Sequence, residues 1–223
     1  MTSNTPATVF SGNSSTGLRI ERVVTHGVFA LDGGEWEVDN NIWILGNDDE
    51  CFIVDAAHDA APIIEAVGNR EVRGVLCSHA HNDHITVAPE LARELDTRVL
   101  VHPGDMMLWK ETHPGFQPQE LHEGQNFSIA GTRLDVMNTP GHSPGSCAFY
   151  LPEADVLFSG DTLFAGGPGA TGRSFSDFGT IIESIRHRLL TLPGHTEVYT
   201  GHGDATSIGA EAPHLQEWIE RGY

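Results

Sequence analysis

The sequence predicts an α/β (α+β) fold built from two successive β-rich halves that are flanked by helices. Three patterns indicate this fold. Strand-like and helix-like segments alternate up to residue 101, short strands joined by turns follow at residues 125–158, and an amphipathic helix pattern occupies residues 178–190. The chain has 223 residues, which is enough for one domain with a substantial core.

Apolar segments bounded by turn residues predict the strands, and apolar residues at helical spacing predict the helices. The first half contains predicted strands at 19–26, 41–45, 51–56, 72–77 and 98–101, and predicted helices at 61–67 and 89–95. The second half contains predicted strands at 127–129, 133–138, 146–150, 156–158 and 197–200, and predicted helices at 178–190 and 212–220. Ser, Thr, Asn and Gly dominate residues 1–17, so we expect a flexible extension before a single domain at residues 18–223.

The charge of the chain argues against nucleic acids and membrane surfaces as partners. The formal charge is −19, and Lys110 is the only lysine, so the surface repels phosphate groups and anionic lipids. The sequence shows no signal-peptide pattern and no apolar run of about 18 residues. Three cysteines in apolar segments are typical of buried thiols in a reducing compartment. We therefore expect a cytoplasmic protein, and the sequence indicates no oligomeric state.

A dense cluster of metal-binding side chains follows the predicted strand at 72–77. His79, His81, Asp83 and His84 lie within six consecutive positions. Three imidazoles and a carboxylate crowded at a strand end are costly to bury without a cation. The cluster therefore predicts a metal site.

Three further candidate ligands, His142, Asp161 and His202, each follow a predicted strand and each lie beside a glycine. Glycine lets the backbone turn sharply at such points, so side chains from several strand ends can approach one centre. A single histidine of this kind is usually structural, but the joint spacing favours one shared metal site.

This set of seven residues resembles the signature of the metallo-β-lactamase superfamily, and most closely its glyoxalase II-like (hydroxyacylglutathione hydrolase-like) thioester hydrolases. The resemblance implies an αββα sandwich with the metal site at one edge, between the two sheets. It also implies that His79, His81 and His142 hold one metal, that Asp83, His84 and His202 hold the second, and that Asp161 bridges both. Asp55 matches a family position that orients ligands, although a turn-forming role is equally consistent with its context.

The ligand types suit two Zn²⁺ ions, with Fe or Mn as alternatives. A hydroxide between two such ions is an effective nucleophile at neutral pH, and Asp83 and Asp161 are the candidate catalytic carboxylates. A thiolate leaves without a strong acid, so a small-molecule thioester is the expected substrate. The resemblance also covers an iron-dependent persulfide dioxygenase and a lactonase. The acidic balance argues against a nuclease, and a non-catalytic metal-binding module is the remaining alternative.

The expected substrate contacts lie in the glycine-rich segment 166–174, where Arg173 is the only charged residue. Arg173 is a candidate substrate-binding residue, or it pairs with a surface carboxylate such as Asp177. Glyoxalase II itself binds glutathione carboxylates with cationic groups from an additional C-terminal region. Only 21 residues follow His202, so the chain more closely resembles short forms in bacteria that use mycothiol, a thiol without carboxylates.

Overall fold

Two β-sheets pack face to face, and helices cover their outer faces, in the computed structural model, which describes residues 7–11 and 17–222. This arrangement is an αββα sandwich, so the expected fold class is confirmed. No helix among the described residues is long and apolar enough to cross a membrane.

The strands of the first sheet lie side by side in the order in which they occur along the chain. Its strands are β1 (Ala7–Ser11), β2 (Arg19–Leu31), β3 (Gly34–Gly46), β4 (Glu50–Val54), β5 (Glu71–Leu76), β6 (Val99–Val101) and β7 (Gln119–Glu120). The strands from β1 to β4 pair antiparallel, and those from β4 to β7 pair parallel. Parallel neighbours need crossover connections, and the helices of this half supply them.

The second sheet contains, from one edge to the other, β8 (Asn126–Ile129), β9 (Thr132–Asn138), β10 (Cys147–Leu151), β11 (Val156–Gly160), β14 (Glu197–Thr200) and β15 (Thr206–Ser207). Only β11 and β14 pair parallel here. A small separate hairpin contains β12 (Leu163–Phe164) and β13 (Gly167–Pro168).

The helices are α1 (Ala60–Val67), α2 (Asn82–Ile85), α3 (Ala88–Glu94), α4 (Met106–Thr112), α5 (Phe178–Ser184), α6 (Ile208–Glu211) and α7 (Leu215–Arg221). Two of them begin at aspartate caps: Asp59 accepts a hydrogen bond from the Ala61 amide, and Asp177 accepts one from the Thr180 amide. The sequence predicted one helix at residues 178–190, and the structure continues α5 as a π-helical turn at Ile185–Leu189.

Successive side chains of each strand point to opposite faces of its sheet, and this alternation produces three apolar layers. In β4, Cys51 and Ile53 pack against α1 and α3, whereas Phe52 and Val54 face the second sheet. In β11, Leu157 packs against α5 on the far side of the second sheet. Both faces of each central strand are therefore buried, which explains why these strands are nearly continuous apolar runs in the sequence.

Two regions differ from the sequence prediction. Residues 7–11 were expected to belong to a flexible extension, but they form β1, which pairs antiparallel with β2; the rest of the predicted extension up to residue 16 lies outside the described residues. The strands predicted at 19–26 and 41–45 are the inner parts of two 13-residue strands, β2 and β3, which form a hairpin with its turn at Asp32 and Gly33. Both turn residues have positive φ, as a two-residue turn of this type requires.

Candidate metal centre

Four strand ends deliver all seven predicted ligand residues to one place. The loop after β5 carries His79 and His81 and continues into α2, which carries Asp83 and His84. The other three follow β9, β11 and β14, and they are His142, Asp161 and His202. The side chains form three overlapping groups whose candidate ligand atoms lie within 4.8 Å of one another. His79, His81 and His142 form the first triad, Asp83, His84 and His202 form the second triad, and the group of His79, His84 and Asp161 connects them.

The two triads share a boundary at Asp161. In the first triad, His81 Nδ1 lies 3.0 Å from His142 Nε2, and in the second, His84 Nε2 lies 3.1 Å from His202 Nε2. The Asp161 carboxylate lies 3.7 Å from His142 Nε2, 3.5 Å from His84 Nε2 and 3.4 Å from His202 Nε2. Asp161 therefore contacts both triads, which is the arrangement that a carboxylate between two metals needs.

The buried polar atoms of this cluster fit a cation. His79 Nε2, His81 Nε2, Asp83 Oδ1 and Asp161 Oδ1 are buried without a hydrogen-bond partner among the described residues. A buried unpaired polar atom costs about 1–3 kcal/mol, and four of them at one point are expensive without a ligand. Imidazole nitrogens and carboxylate oxygens are good ligands for zinc and iron. The donor set thus forms a candidate binuclear metal site whose metal identity is open.

Charges divide between the two triads. Burial, together with the neighbouring imidazoles, lowers the pKa of His79 far below its usual value and that of His81 to about 3. Burial also opposes the charge on His202, but the Asp161 carboxylate outweighs it and raises the pKa of His202 to about 10. His79 and His81 are therefore neutral, whereas His84 and His202 carry protons that compensate the Asp83 and Asp161 carboxylates, as a metal would with its own charge.

Asp55 lies beneath the second triad and fixes the orientation of His84. Its carboxylate accepts hydrogen bonds from the Ser78 amide at 2.7 Å and the Ser78 hydroxyl at 2.9 Å, and it lies 2.9 Å from His84 Nδ1. These contacts leave Nε2 of His84 directed at the candidate metal position. Asp55 is buried in contact with His84, so it supports the ligand shell in addition to forming the turn that its positive φ indicates.

Asp105, which was not predicted from the sequence, joins the loops that carry His81 and His142. Its fully buried carboxylate accepts hydrogen bonds from the Ala80 amide at 2.9 Å, the Ser143 hydroxyl at 2.7 Å and the Gly145 amide at 2.5 Å. Burial raises the pKa of Asp105. Because it accepts hydrogen bonds from three donors, the Asp105 carboxylate fixes the position of the two first-triad loops relative to each other. No sequence signal identifies it, because its partners come from two distant loops.

Asn40 and His58 lie near the second triad, although neither is among the site residues predicted from the sequence. Asn40 is fully buried beside the second triad, and His58 Nε2 lies 2.8 Å from the Asn40 side-chain oxygen. His58 is therefore connected to the centre through Asn40.

A cavity of about 300 Å³ opens onto both triads. Its wall is mainly apolar and includes Phe29, Trp36, Val38 and Phe164. Arg173 also lines it, and its guanidinium lies 3.7 Å above the Trp36 ring. No ion pair of Arg173 with Asp177 is found among the described residues, and the Asp177 carboxylate instead caps α5.

The family model of the metallo-β-lactamase superfamily matches residues 36–202. The chain belongs to the metallo-β-lactamase superfamily. The match spans every predicted ligand residue, from His79 to His202, and confirms the resemblance stated on the residue pattern.

Curated relatives within this superfamily include hydrolases. The chain is 34% identical over 186 residues to the probable metallo-hydrolase YqgX of Bacillus subtilis, and this alignment covers 77% of this chain and 88% of that protein. It is 34% identical over 173 residues to a hydroxyacylglutathione hydrolase of Synechococcus, covering 74% of this chain and 65% of that protein. It is 30% identical over 182 residues to the hydroxyacylglutathione hydrolase GloC of Haemophilus influenzae, covering 74% and 86%.

Solved structures of metallo-β-lactamase-fold proteins superpose well on this chain. The B3 metallo-β-lactamase BLEG-1 has a TM-score of 0.72 and 29% identity, covering 86% of this chain and 98% of that chain. TTHA1623, solved in a di-iron-bound form, has a TM-score of 0.71 and 30% identity, covering 78% and 93%. Together with the His/Asp cluster, these similarities support a metal-dependent hydrolase of this superfamily.

Proposed function

We propose that this protein hydrolyses a small-molecule thioester with two Zn²⁺ ions held by the two triads. The observation that carries the proposal is the pair of triads joined by Asp161 at the base of an apolar cavity. The hydroxyacylglutathione hydrolases among the relatives support a thioester as the substrate class.

In this proposal, His79, His81 and His142 hold one ion, Asp83, His84 and His202 hold the other, and Asp161 lies between them. When bound, the two ions supply Lewis acidity and a hydroxide nucleophile at neutral pH. The protein's own contribution is to position them: Asp55 orients His84, and Asp105 holds the loops of His81 and His142. The three cysteines are buried in the core, so no thiol competes as the nucleophile.

The cavity wall suits a thiol carrier with few carboxylates. Arg173 is the only arginine among the described residues that line the cavity, and no lysine lines it. The Arg173 guanidinium stacks with its flat face on the Trp36 ring. The N–H groups at its edge can therefore donate hydrogen bonds to one acceptor on the substrate. A glutathione thioester carries two carboxylates, whereas a mycothiol thioester carries none. A mycothiol-type carrier therefore fits this wall better.

A thioester hydrolase that holds iron in place of zinc is the second candidate. The similarity to TTHA1623 in its di-iron-bound form favours it, because identical His and Asp ligands accept either metal.

Elemental analysis combined with a substrate panel tests the proposal. The purified protein is expected to contain two zinc ions per chain and to hydrolyse acyl-mycothiol thioesters with a kcat/KM at least tenfold above that for S-lactoylglutathione. Asp161→Ala is expected to lose activity and to retain less metal, because this carboxylate contacts both triads.

The panel also includes a lactone, a β-lactam and glutathione persulfide. Turnover of one of these without any thioester hydrolysis contradicts the proposed substrate class. Preference for S-lactoylglutathione contradicts the mycothiol assignment, and an Asp161→Ala protein that retains two tightly bound metals contradicts the bridging role.

A further inference from the structure

We propose that the half-buried His58 and the buried Asn40 form a positioning pair that fixes the Asp83 carboxylate and thereby sets the affinity of the second triad for its metal. The inference rests on the proposed two-metal centre. It assigns roles to two side chains outside the seven candidate ligands.

Asn40 contacts all three members of the second triad. Its side-chain nitrogen lies 3.1 Å from Asp83 Oδ2, 3.2 Å from His84 Nε2 and 3.4 Å from His202 Nε2. The side chain is fully buried in β3, so water does not compete for these contacts. An amide is uncharged, and it therefore stabilises the carboxylate without adding a cation that would repel the metal.

The direction of hydrogen bonding in the pair follows from Asp83. As a metal ligand, the Asp83 carboxylate offers only acceptor oxygens, and the Asn40 side-chain nitrogen lies 3.1 Å from Asp83 Oδ2. The NH₂ end of Asn40 must then face Asp83, and its oxygen must face His58. His58 Nε2, 2.8 Å away, therefore donates. One arrangement satisfies all three groups, which holds Asn40 in a single orientation.

The surrounding backbone fixes the position of the His58 side chain. The residue has a left-handed backbone, with φ of 59°, at the end of the loop that follows β4. The Thr25 hydroxyl anchors this loop through the Ala57 carbonyl at 2.9 Å. Gly27 in β2 makes room for the imidazole, because a Cβ at that position would lie 2.2 Å from His58 Nδ1. A non-glycine residue at 27 would displace the ring.

The test measures metal retention rather than catalysis. Metal-loaded full-length wild type and variants are equilibrated against a series of buffered free Zn²⁺ concentrations, and zinc per chain is determined by elemental analysis. His58→Leu removes the donor, and His58→Gln keeps a side-chain N–H that can reach Asn40. Gly27→Ala displaces the ring without changing any titratable group, and its φ is not left-handed, so the backbone tolerates alanine.

We expect His58→Leu and Gly27→Ala to raise the zinc concentration needed for one of the two binding steps, the one that fills the second triad, about tenfold or more, the usual effect of losing a group that orients a ligand. The other step should stay unchanged, and His58→Gln should remain within about threefold of wild type. Two unchanged steps in His58→Leu, or an equal loss in His58→Gln, would overturn the inference. Wild type that binds two metals but hydrolyses no thioester refutes only the proposed substrate. Wild type that binds fewer than two refutes the two-metal centre and this inference with it.

Discussion

At the residue scale, the metal centre depends on a glycine that bears no ligand. Gly201 follows β14 and precedes His202, and a Cβ at this position would lie 2.1 Å from Asp161 Oδ1 and 2.7 Å from His84 Cε1. Its φ is not in the left-handed region, so the backbone itself does not demand glycine. Glycine is required instead because Asp161 and His84 leave no room for a side chain.

Gly201→Ala is therefore expected to disrupt the second triad while leaving the fold intact. The added methyl group must push Asp161 or His84 away, so we expect zinc per chain to fall from two to one or fewer and kcat to fall at least a hundredfold. Elemental analysis and thioester hydrolysis measure both effects. Gly115→Ala is the matched control, because a Cβ there meets no atom within 4 Å. Two retained metals with near-normal kcat in Gly201→Ala would contradict this account of the site.

The candidate ligands could be located from the sequence because they are concentrated at strand ends beside glycines. His79, His81, Asp83 and His84 lie within six positions, and such density is rare without a metal. Asn40 and Asp105 carry no comparable signal. Each is an isolated polar residue whose partners come from distant segments, so only the tertiary structure identifies it.

At the element scale, the long hairpin of β2 and β3 forms the outer wall of the cavity. Asn82 in α2 holds one side of it through the Ala30 amide and the Val28 carbonyl, both at 2.8 Å. Asp32 at its turn holds the other side, because its carboxylate accepts from the Ser174 hydroxyl at 2.6 Å and the Ser174 amide at 3.0 Å. The hairpin thus fixes the position of the neighbouring Arg173.

Asp32→Ala is expected to weaken substrate binding without affecting the metals. The change removes both hydrogen bonds to Ser174, so the neighbouring Arg173 loses its fixed position on Trp36. We expect KM to rise about three- to tenfold, with kcat and zinc content nearly unchanged. Steady-state kinetics with the best thioester measures the change. Asp48→Ala, which removes an exposed carboxylate paired with Arg19, controls for lost surface charge, and an equal KM effect there would refute the role of Asp32.

The cores of the principal strands and helices were predictable, but the wall around the cavity was not. Buried strands such as β4 and β11 are apolar runs that are evident in the sequence. The outer half of the hairpin contains only partly exposed and exposed residues, and its turn residues Asp32 and Gly33 are the one local signal that could have extended the prediction. Short strands such as β7, β12 and β15 contain only two residues, and pairing rather than composition defines them.

At the scale of the whole molecule, the three cysteines lie in the apolar layers on either side of the first sheet. Cys51 and Cys77 belong to the layer between this sheet and its helices, and Cys147 belongs to the layer between the two sheets. All three are free and at most 1% exposed. Burial raises the pKa of the Cys51 thiol to about 11 and raises those of Cys77 and Cys147 as well.

These thiols are therefore expected to be inert in the folded protein. A thiol reacts as its thiolate, and with a pKa of about 11 only about one Cys51 in a thousand is ionised at pH 8. Raising the pH toward 11 increases ionisation but does not expose the sulfur, so modification should still require opening of the sandwich. Incubation with a chromogenic disulfide reagent at pH 8 is expected to label fewer than about 0.1 thiols per folded chain within an hour, and all three in denaturant. Rapid labelling of one thiol in native conditions would show that its layer opens locally, whereas simultaneous slow labelling of all three would show that the two layers unfold as one cooperative unit.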